Sequence, residues 1–322
     1  MVALLVAAGA CDRPARAPAA NDTVATDVPA IGADSAAPPV VSTNGWRPEE
    51  AGPALVLPAE TSALQAQLVL PQFTDSTLTP QATFDLAALR GVTLELFAPA
   101  GLVGRATLAD VAPPSAASAP RASSRSAPAG AACTAWPTAR LVPAVEPLSP
   151  WRVAFAAGRA HAIPLDSVSA LAGPDSARLA ADVARLASAL PQDTASAFRG
   201  LPFVVRDVHR FTPVAGVDGL VADVVRRVNQ EASVQMEHLL LVAERPAGRA
   251  AAPWTAAYVE RSAGQEETIE MAEVLAAVTL GAAARPTLVI ARDFGDGGAY
   301  ALLERTGPRR WVVRWSSAYA GC

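Results

Sequence analysis

A mainly β protein built from antiparallel meanders, with one packed helix, is the fold class that the sequence predicts. Short apolar segments with alternating or β-branched residues recur along the chain, and Gly, Pro and Asp turns separate them. Only one stretch has a clear helical period. The chain has 322 residues, of which 51% are hydrophobic and 17% charged, so it can bury a sizeable core.

The chain begins MVALLVAAGAC, a short apolar run that ends in small residues before Cys11. Ala8, Gly9 and Ala10 occupy the three positions before this cysteine. The pattern resembles the signal peptide of a bacterial lipoprotein, in which small residues precede a cysteine that becomes lipidated. The run lacks the positive charge that usually begins such a peptide. The alternative is a short hydrophobic strand with a buried cysteine.

The resemblance implies a location and a membrane partner. Residues 1–10 would be removed, and Cys11 would carry the lipid that anchors the protein in the cell envelope, facing the periplasm or the exterior. Residues 11–50 are rich in Ala, Pro, Asp and Thr, have no period of 2 or 3.6, and predict a disordered tether. No stretch is long and apolar enough to span a bilayer.

Two globular segments are predicted after the tether. Residues 51–112 contain several strand-like segments and predict a small β module. Residues 113–135 are rich in Ala, Ser and Pro and predict a low-complexity linker. Residues 136–322 predict a larger β-rich domain. Near its start, WRVAF and RAHAIPL are joined at AAG and predict a hairpin.

One helix is predicted in this larger domain, near 174–190. Leu179, Val183, Leu186 and Leu190 follow one another at spacings of 4, 3 and 4, which places them on one helix face. A proline lies near each end of the stretch, in keeping with a helix that starts and stops there.

The last hundred residues predict an antiparallel meander with an internal repeat. HLLLVAER followed by AAYVERSAG resembles PTLVIARD followed by GAYALLERTG, forty to fifty residues later. This offset predicts two four-stranded units, about 219–272 and 273–319, whose spacing resembles that of β-propeller blades. VADVVRRV, at the start of the first unit, also fits a helical face, so a helix is the alternative there.

Two further cysteines are Cys133, just before the larger domain, and Cys322, at the last position of the chain. Thiols tend to pair in an oxidising compartment, so a disulfide between them is predicted. Two free buried thiols, or pairing of Cys322 between molecules, are the alternatives.

An aromatic row is the candidate binding site. In WVVRWSSAY, strand alternation would place Trp311, Trp315 and Tyr319 on one face, and Tyr300 on the preceding segment is a further candidate. If exposed, such a row is a platform for sugar rings or peptide side chains, which predicts a carbohydrate or protein ligand. If buried, it is the core side of the sheet.

Three Glu-Arg dipeptides occur at the ends of predicted strands, at 244–245, 260–261 and 304–305. Adjacent residues on a strand point to opposite faces, so each dipeptide would split across its sheet. Charges on neighbouring strands are the expected partners.

No motif specifies catalytic residues. His161, His209 and His238 lack metal-binding spacing, so neither a metal nor another cofactor is predicted. The chain has no lysine and a formal charge of −4, which excludes Schiff-base chemistry and gives no basic surface for nucleic acid. The sequence therefore predicts a cell-envelope lipoprotein with a non-enzymatic binding or interaction module. An envelope hydrolase that uses carboxylates and His209, or a purely structural component, is the alternative.

Overall fold

The computed structural model describes residues 45–59, 62–71, 85–114, 135–191, 196–228, 234–293 and 297–321. All of them belong to one contact unit that spans residues 39–322. Cys11, Cys133 and Cys322 lie outside the described residues, as do the signal peptide and most of the tether. The lipid anchor and the disulfide therefore stay predictions.

Antiparallel strands dominate the described chain, which confirms the mainly β fold class. The α-helices of the described residues are α1 (Pro48–Ala51) and α2 (Gly173–Ala189), and short 3-10 helices lie at Leu86–Leu89, Val168–Ala170 and Ser196–Phe198. The first eight strands are β1 (Leu55–Ala59), β2 (Ser62–Val69), β3 (Thr93–Ala98), β4 (Gly101–Ala112), β5 (Thr138–Pro143), β6 (Val153–Ala156), β7 (Ala160–Ile163) and β8 (Asp166–Ser167). The others are β9 (Val204–Val214), β10 (Val217–Val228), β11 (Gln235–Pro246), β12 (Thr255–Gln265), β13 (Met271–Leu280), β14 (Arg285–Asp293), β15 (Gly297–Gly307), β16 (Arg310–Ser316) and β17 (Ala320–Gly321).

The first six strands form a closed barrel in the order β1-β2-β5-β4-β3-β6. Apolar side chains such as Leu68, Leu96 and Leu141 fill its interior. The low-complexity segment 113–135 joins β4 to β5, which are paired neighbours in the barrel. Strands from both sides of that segment therefore belong to one structure.

The remaining strands form two antiparallel sheets. A five-stranded sheet has the order β12-β11-β10-β9-β8, and a six-stranded sheet has the order β16-β15-β14-β13-β7, with β17 paired to β15. Two four-stranded meanders, β9 to β12 and β13 to β16, account for most of both sheets. The second matches the predicted unit 273–319 closely, whereas the first starts earlier than residue 219. VADVVRRV lies in β10 and is a strand.

Four layers stack in the order α2, five-stranded sheet, six-stranded sheet and barrel. The helix buries Leu179, Val183 and Ala187 against the outer face of the five-stranded sheet. The apolar core between the two sheets includes Val221, Leu240, Leu288, Ile290 and Leu303. A further core, including Leu55, Phe155, Val278, Val289 and Trp315, joins the six-stranded sheet to the barrel. The stack has two ends, so the likeness to a propeller is limited to face-to-face packing of four-stranded units.

The helix predicted near 174–190 is confirmed as α2. Proline stands in its first turn, where the missing backbone N–H costs no hydrogen bond. No helix in the described ranges is long and apolar enough to cross a membrane.

The hairpin predicted from WRVAF and RAHAIPL is wrong. The tight turn between them is present, with the Arg159 N–H donating to the Ala156 carbonyl at 3.1 Å. However, β6 pairs with β1 and β3 in the barrel, whereas β7 pairs with β13 in the six-stranded sheet. The turn is therefore the crossing from one layer to the next.

Candidate binding cleft

A β-bulge in β16 separates the residues of the predicted aromatic row. The register between β15 and β16 shifts at Arg314, where β16 has one residue more than its partner. Because of this extra residue, Trp311 and Val313 pack into the core between the two sheets, whereas Trp315 packs towards the barrel. Simple alternation would have kept all three on one face.

Both indole rings of the row are buried. The exposed fraction is 4% for Trp311 and 0% for Trp315. Tyr300 is half-buried against the core between the six-stranded sheet and the barrel. Tyr319 follows β16, and its hydroxyl lies beside Gly297, the first residue of β15. These four residues form no exposed row, and the two tryptophans occupy the core position that the sequence left as the alternative.

The Glu-Arg dipeptides split across their sheets, and their members pair in two directions. Arg245 pairs along the sheet with Asp218 of β10, its Nε 3.2 Å from Oδ2. Glu244 instead pairs with Arg305 of the facing sheet, at 2.8 Å from its Nε. The remaining pairs are Glu260–Arg292 between the sheets at 2.7 Å, and Arg261–Glu237 and Glu304–Arg285 along them. Half of these charges therefore clamp the two sheets together.

Four donors surround the buried carboxylate of Glu244. Arg305 donates two hydrogen bonds at 2.8 and 3.0 Å, the Arg309 N–H donates one at 3.0 Å, and Trp311 Nε1 donates one at 2.7 Å. Burial raises the pKa of Glu244, but the hydrogen bonds outweigh burial and leave this pKa below its ordinary value of 4.5. The carboxylate is thus charged and fully used within the fold.

A second polar cluster lies between the sheets, around Arg292. Its guanidinium binds both oxygens of Glu260, at 2.7 and 2.9 Å, and Tyr258 donates to the same carboxylate at 2.6 Å. Burial, with the nearby carboxylate, raises the pKa of Tyr258. Burial also raises the pKa of Glu270, which lies 3.5 Å from Arg292. These groups satisfy one another, so the cluster is structural.

The structure does not bring the three histidines together. His161 is exposed on β7. His209 Nε2 lies 2.8 Å from Asp207 Oδ2, and the buried His238 lies 2.9 Å from Asp223. Across the described ranges, no group of three or more His, Cys, Asp or Glu side chains could hold a metal ion.

An open cleft of about 390 Å³ lies near the β9–β10 turn, beside the short edge strand β8. Ile163 and Pro164 form an apolar wall. The polar and aromatic lining comprises Asp166, Arg210, Phe211, Thr212, Asp218, Arg245 and Trp254. This volume lies within the range of about 300–1,000 Å³ that is usual for small-molecule sites. The cleft is therefore the candidate functional site.

Gly219 allows one wall of the cleft to form. A Cβ at this position would lie 2.9 Å from two ring carbons of Phe211, so any side chain would push the phenyl ring away. The other side of the ring meets Trp311 edge-on, with centroids 6.0 Å apart. The wall is thereby fixed to the core between the sheets.

Arg245 and Trp254 form a second, prearranged wall. The guanidinium carbon lies 4.2 Å from the indole centroid, a cation–π contact, while Asp218 holds the same guanidinium by an ion pair. Trp254 is 8% exposed, and its Nε1 has no hydrogen-bond partner among the described residues. This wall is therefore an indole ring and a guanidinium held in fixed positions.

Arg210 differs from Arg245 because its charge is unpaired. Its Nε is buried without a hydrogen-bond partner, and no described carboxylate lies within the 4.0 Å of an ion pair. The geometry makes Arg210 the residue best placed to bind an anionic group.

Sequence reasoning missed this cleft. Its residues come from five separate places in the chain, and none belongs to a recognisable motif. The one local signal is Trp254, a large aromatic directly after the turn RPAGRAAAP. Comparison of the chain with protein-family models, curated proteins and solved structures gives no match.

Proposed function

We propose that this chain is a lipid-anchored protein of the bacterial cell envelope whose β-rich head binds a small ligand without chemical conversion. The lipobox-like AGAC at the amino terminus supports the anchor and the location. The cleft around Arg210 and Trp254 supports the binding role. The proposed partners are a membrane, reached through the lipid, and a small ligand in the cleft.

One observation carries the binding proposal: Arg210 presents an unpaired guanidinium in a cleft whose other arginine is already neutralised. The cleft combines an aromatic ring, an apolar wall and a few charged side chains, which is the composition of a recognition site.

Saturation-transfer NMR with a mixture of small carboxylates and aromatic fragments tests the binding proposal. We expect wild-type protein to transfer saturation to a subset of the fragments and Arg210→Ala to lose at least tenfold in affinity for them. Arg178→Ala is the matched control, since Arg178 is 76% exposed on α2 and makes only a long contact to Asp175. Equal binding by wild type and Arg210→Ala, or no binding by wild type, would contradict the proposal.

Intact-mass analysis tests the anchor. Protein made in a lipoprotein-processing bacterial host is expected to begin at Cys11 and to carry the added mass of acyl chains. A Cys11→Ser variant should lack the acyl mass and leave the membrane fraction. Wild-type protein that starts at Met1 without acylation would contradict the lipoprotein proposal and leave the binding proposal untouched.

A second candidate function, an envelope hydrolase, is favoured by the arrangement around His209. Asp207 orients its imidazole, and Ser167 is its direct cross-strand neighbour on β8. The hydroxyl of Ser167 is engaged instead by Ser169, at 2.7 Å, which ranks this function second. Labelling by a fluorophosphonate probe that Ser167→Ala abolishes would support the hydrolase, and absence of labelling would remove it.

A further inference from the structure

We propose that the ligand of the cleft is a zwitterion, an amino acid or short peptide whose carboxylate binds Arg210 and whose ammonium group binds Asp166. This inference rests on the proposed binding function and names the chemical class of the ligand. It comes from the distribution of paired and unpaired charges around the cleft.

Asp166 and Arg210 are directly opposite each other on β8 and β9. Residues opposite each other in an antiparallel pair project from the same face, with Cβ atoms about 4.5–5.5 Å apart. Opposite charges in such positions usually join. Here the carboxylate and the guanidinium stay more than 4.0 Å apart, and neither has another ion-pair partner among the described residues.

The other two charges of the cleft cancel. Asp218 binds Arg245 at 3.2 Å, and Arg245 is further held by the Ala250 carbonyl and the ring of Trp254. One cation and one anion, Arg210 and Asp166, therefore remain available. A ligand with only a negative charge would satisfy the arginine and be repelled by the aspartate, whereas a zwitterion satisfies both.

The walls favour an apolar or aromatic side chain on this ligand. Ile163, Pro164, Phe211 and Trp254 all line the cleft. The volume of about 390 Å³ accommodates a single amino acid or a dipeptide rather than a folded partner.

Isothermal titration calorimetry with four forms of one dipeptide tests the inference. The probes are Ala-Phe, N-acetyl-Ala-Phe, Ala-Phe amide and N-acetyl-Ala-Phe amide, which present both charges, the anion alone, the cation alone and neither. We expect Ala-Phe to bind most tightly and the loss of either charge to weaken binding about tenfold or more.

Two variants assign the contacts. Asp166→Asn should weaken Ala-Phe, which loses the partner of its ammonium group, and should strengthen N-acetyl-Ala-Phe, which is no longer repelled by the aspartate. Arg210→Ala should weaken Ala-Phe, which loses the partner of its carboxylate, and should strengthen Ala-Phe amide, whose ammonium group is no longer repelled by the arginine. Arg178→Ala again serves as the control, and thermal unfolding verifies that each variant is folded.

Three outcomes would overturn the inference. If N-acetyl-Ala-Phe binds as tightly as Ala-Phe, the site binds anions and the proposed function stands without the zwitterion. If no dipeptide form binds, while wild-type protein still binds the fragments and Arg210→Ala does not, the proposed ligand class is wrong. If neither dipeptides nor fragments bind, the proposed function fails together with the inference.

Discussion

Replacing Glu244 by glutamine is expected to lower the free energy of unfolding by about 3–5 kcal/mol. The substitution leaves Arg305 buried between two sheets without its counter-charge, and it weakens the acceptor shared by Trp311 and the Arg309 N–H. Urea unfolding followed by circular dichroism measures the difference. Glu273→Gln is the matched control, because the Glu273–Arg152 pair is largely exposed and is worth about 0–1 kcal/mol.

The penalty of this substitution should shrink in acid. The pKa of Glu244 lies below its ordinary value of 4.5, so the carboxylate contributes stability that is complete above that pH. The contribution is lost as the pH falls through the lowered pKa, where the wild-type side chain also becomes neutral. A difference between wild type and Glu244→Gln that stays constant from pH 7 into the acid range would contradict the inter-sheet clamp.

Replacing Trp315 by alanine is expected to cost about 3–5 kcal/mol, the usual penalty for emptying a buried aromatic site. Trp315 is fully buried between the six-stranded sheet and the barrel, edge-on to Trp46 with centroids 4.7 Å apart. Thermal and urea unfolding measure the loss. Cooperative unfolding of both sheets with the barrel is expected, because this core joins them.

Trp315→Phe separates ring packing from the indole N–H. The Nε1 of Trp315 is buried without a hydrogen-bond partner among the described residues, so phenylalanine removes an unsatisfied donor while it keeps much of the ring. The loss should be clearly smaller than for alanine. A Trp315→Ala variant as stable as wild type would mean that the side chain lies on the surface.

Local patterns predicted the elements whose environment is regular. The spacing of Leu179 and Val183 predicts α2 because one face of that helix lies on a sheet. The run PTLVI predicts β14 as a strand, and its residues are buried on both sides because two layers of apolar side chains cover the central sheet. A strand that is buried on both faces needs no alternation of apolar and polar residues.

Other features depend on contacts that no local pattern contains. The bulge at Arg314 adds one residue to β16, and this single residue moves Trp315 to the opposite face from Trp311. Likewise, the turn at Gly158 resembles a hairpin turn, yet its two strands find partners in different layers. In both cases tertiary pairing decides the direction of side chains.

The cleft was equally out of reach of sequence reasoning. Asp166 and Arg210 are neighbours only because the two-residue strand β8 pairs with the middle of β9. Gly219 of β10, Arg245 of β11 and Trp254, just before β12, line the same cleft. Each residue is ordinary in its own segment, and only the sheet order makes them a site.

The position of the ligand site is tested most directly by the indole N–H signals of the six tryptophans, assigned by single substitutions to phenylalanine. We expect the fragments that wild-type protein binds to shift the Nε1–H signal of Trp254 and to leave those of Trp311 and Trp315 in place. If the signals of Trp311 or Trp315 shift and that of Trp254 does not, the proposed cleft is wrong, and the binding surface is the aromatic row instead.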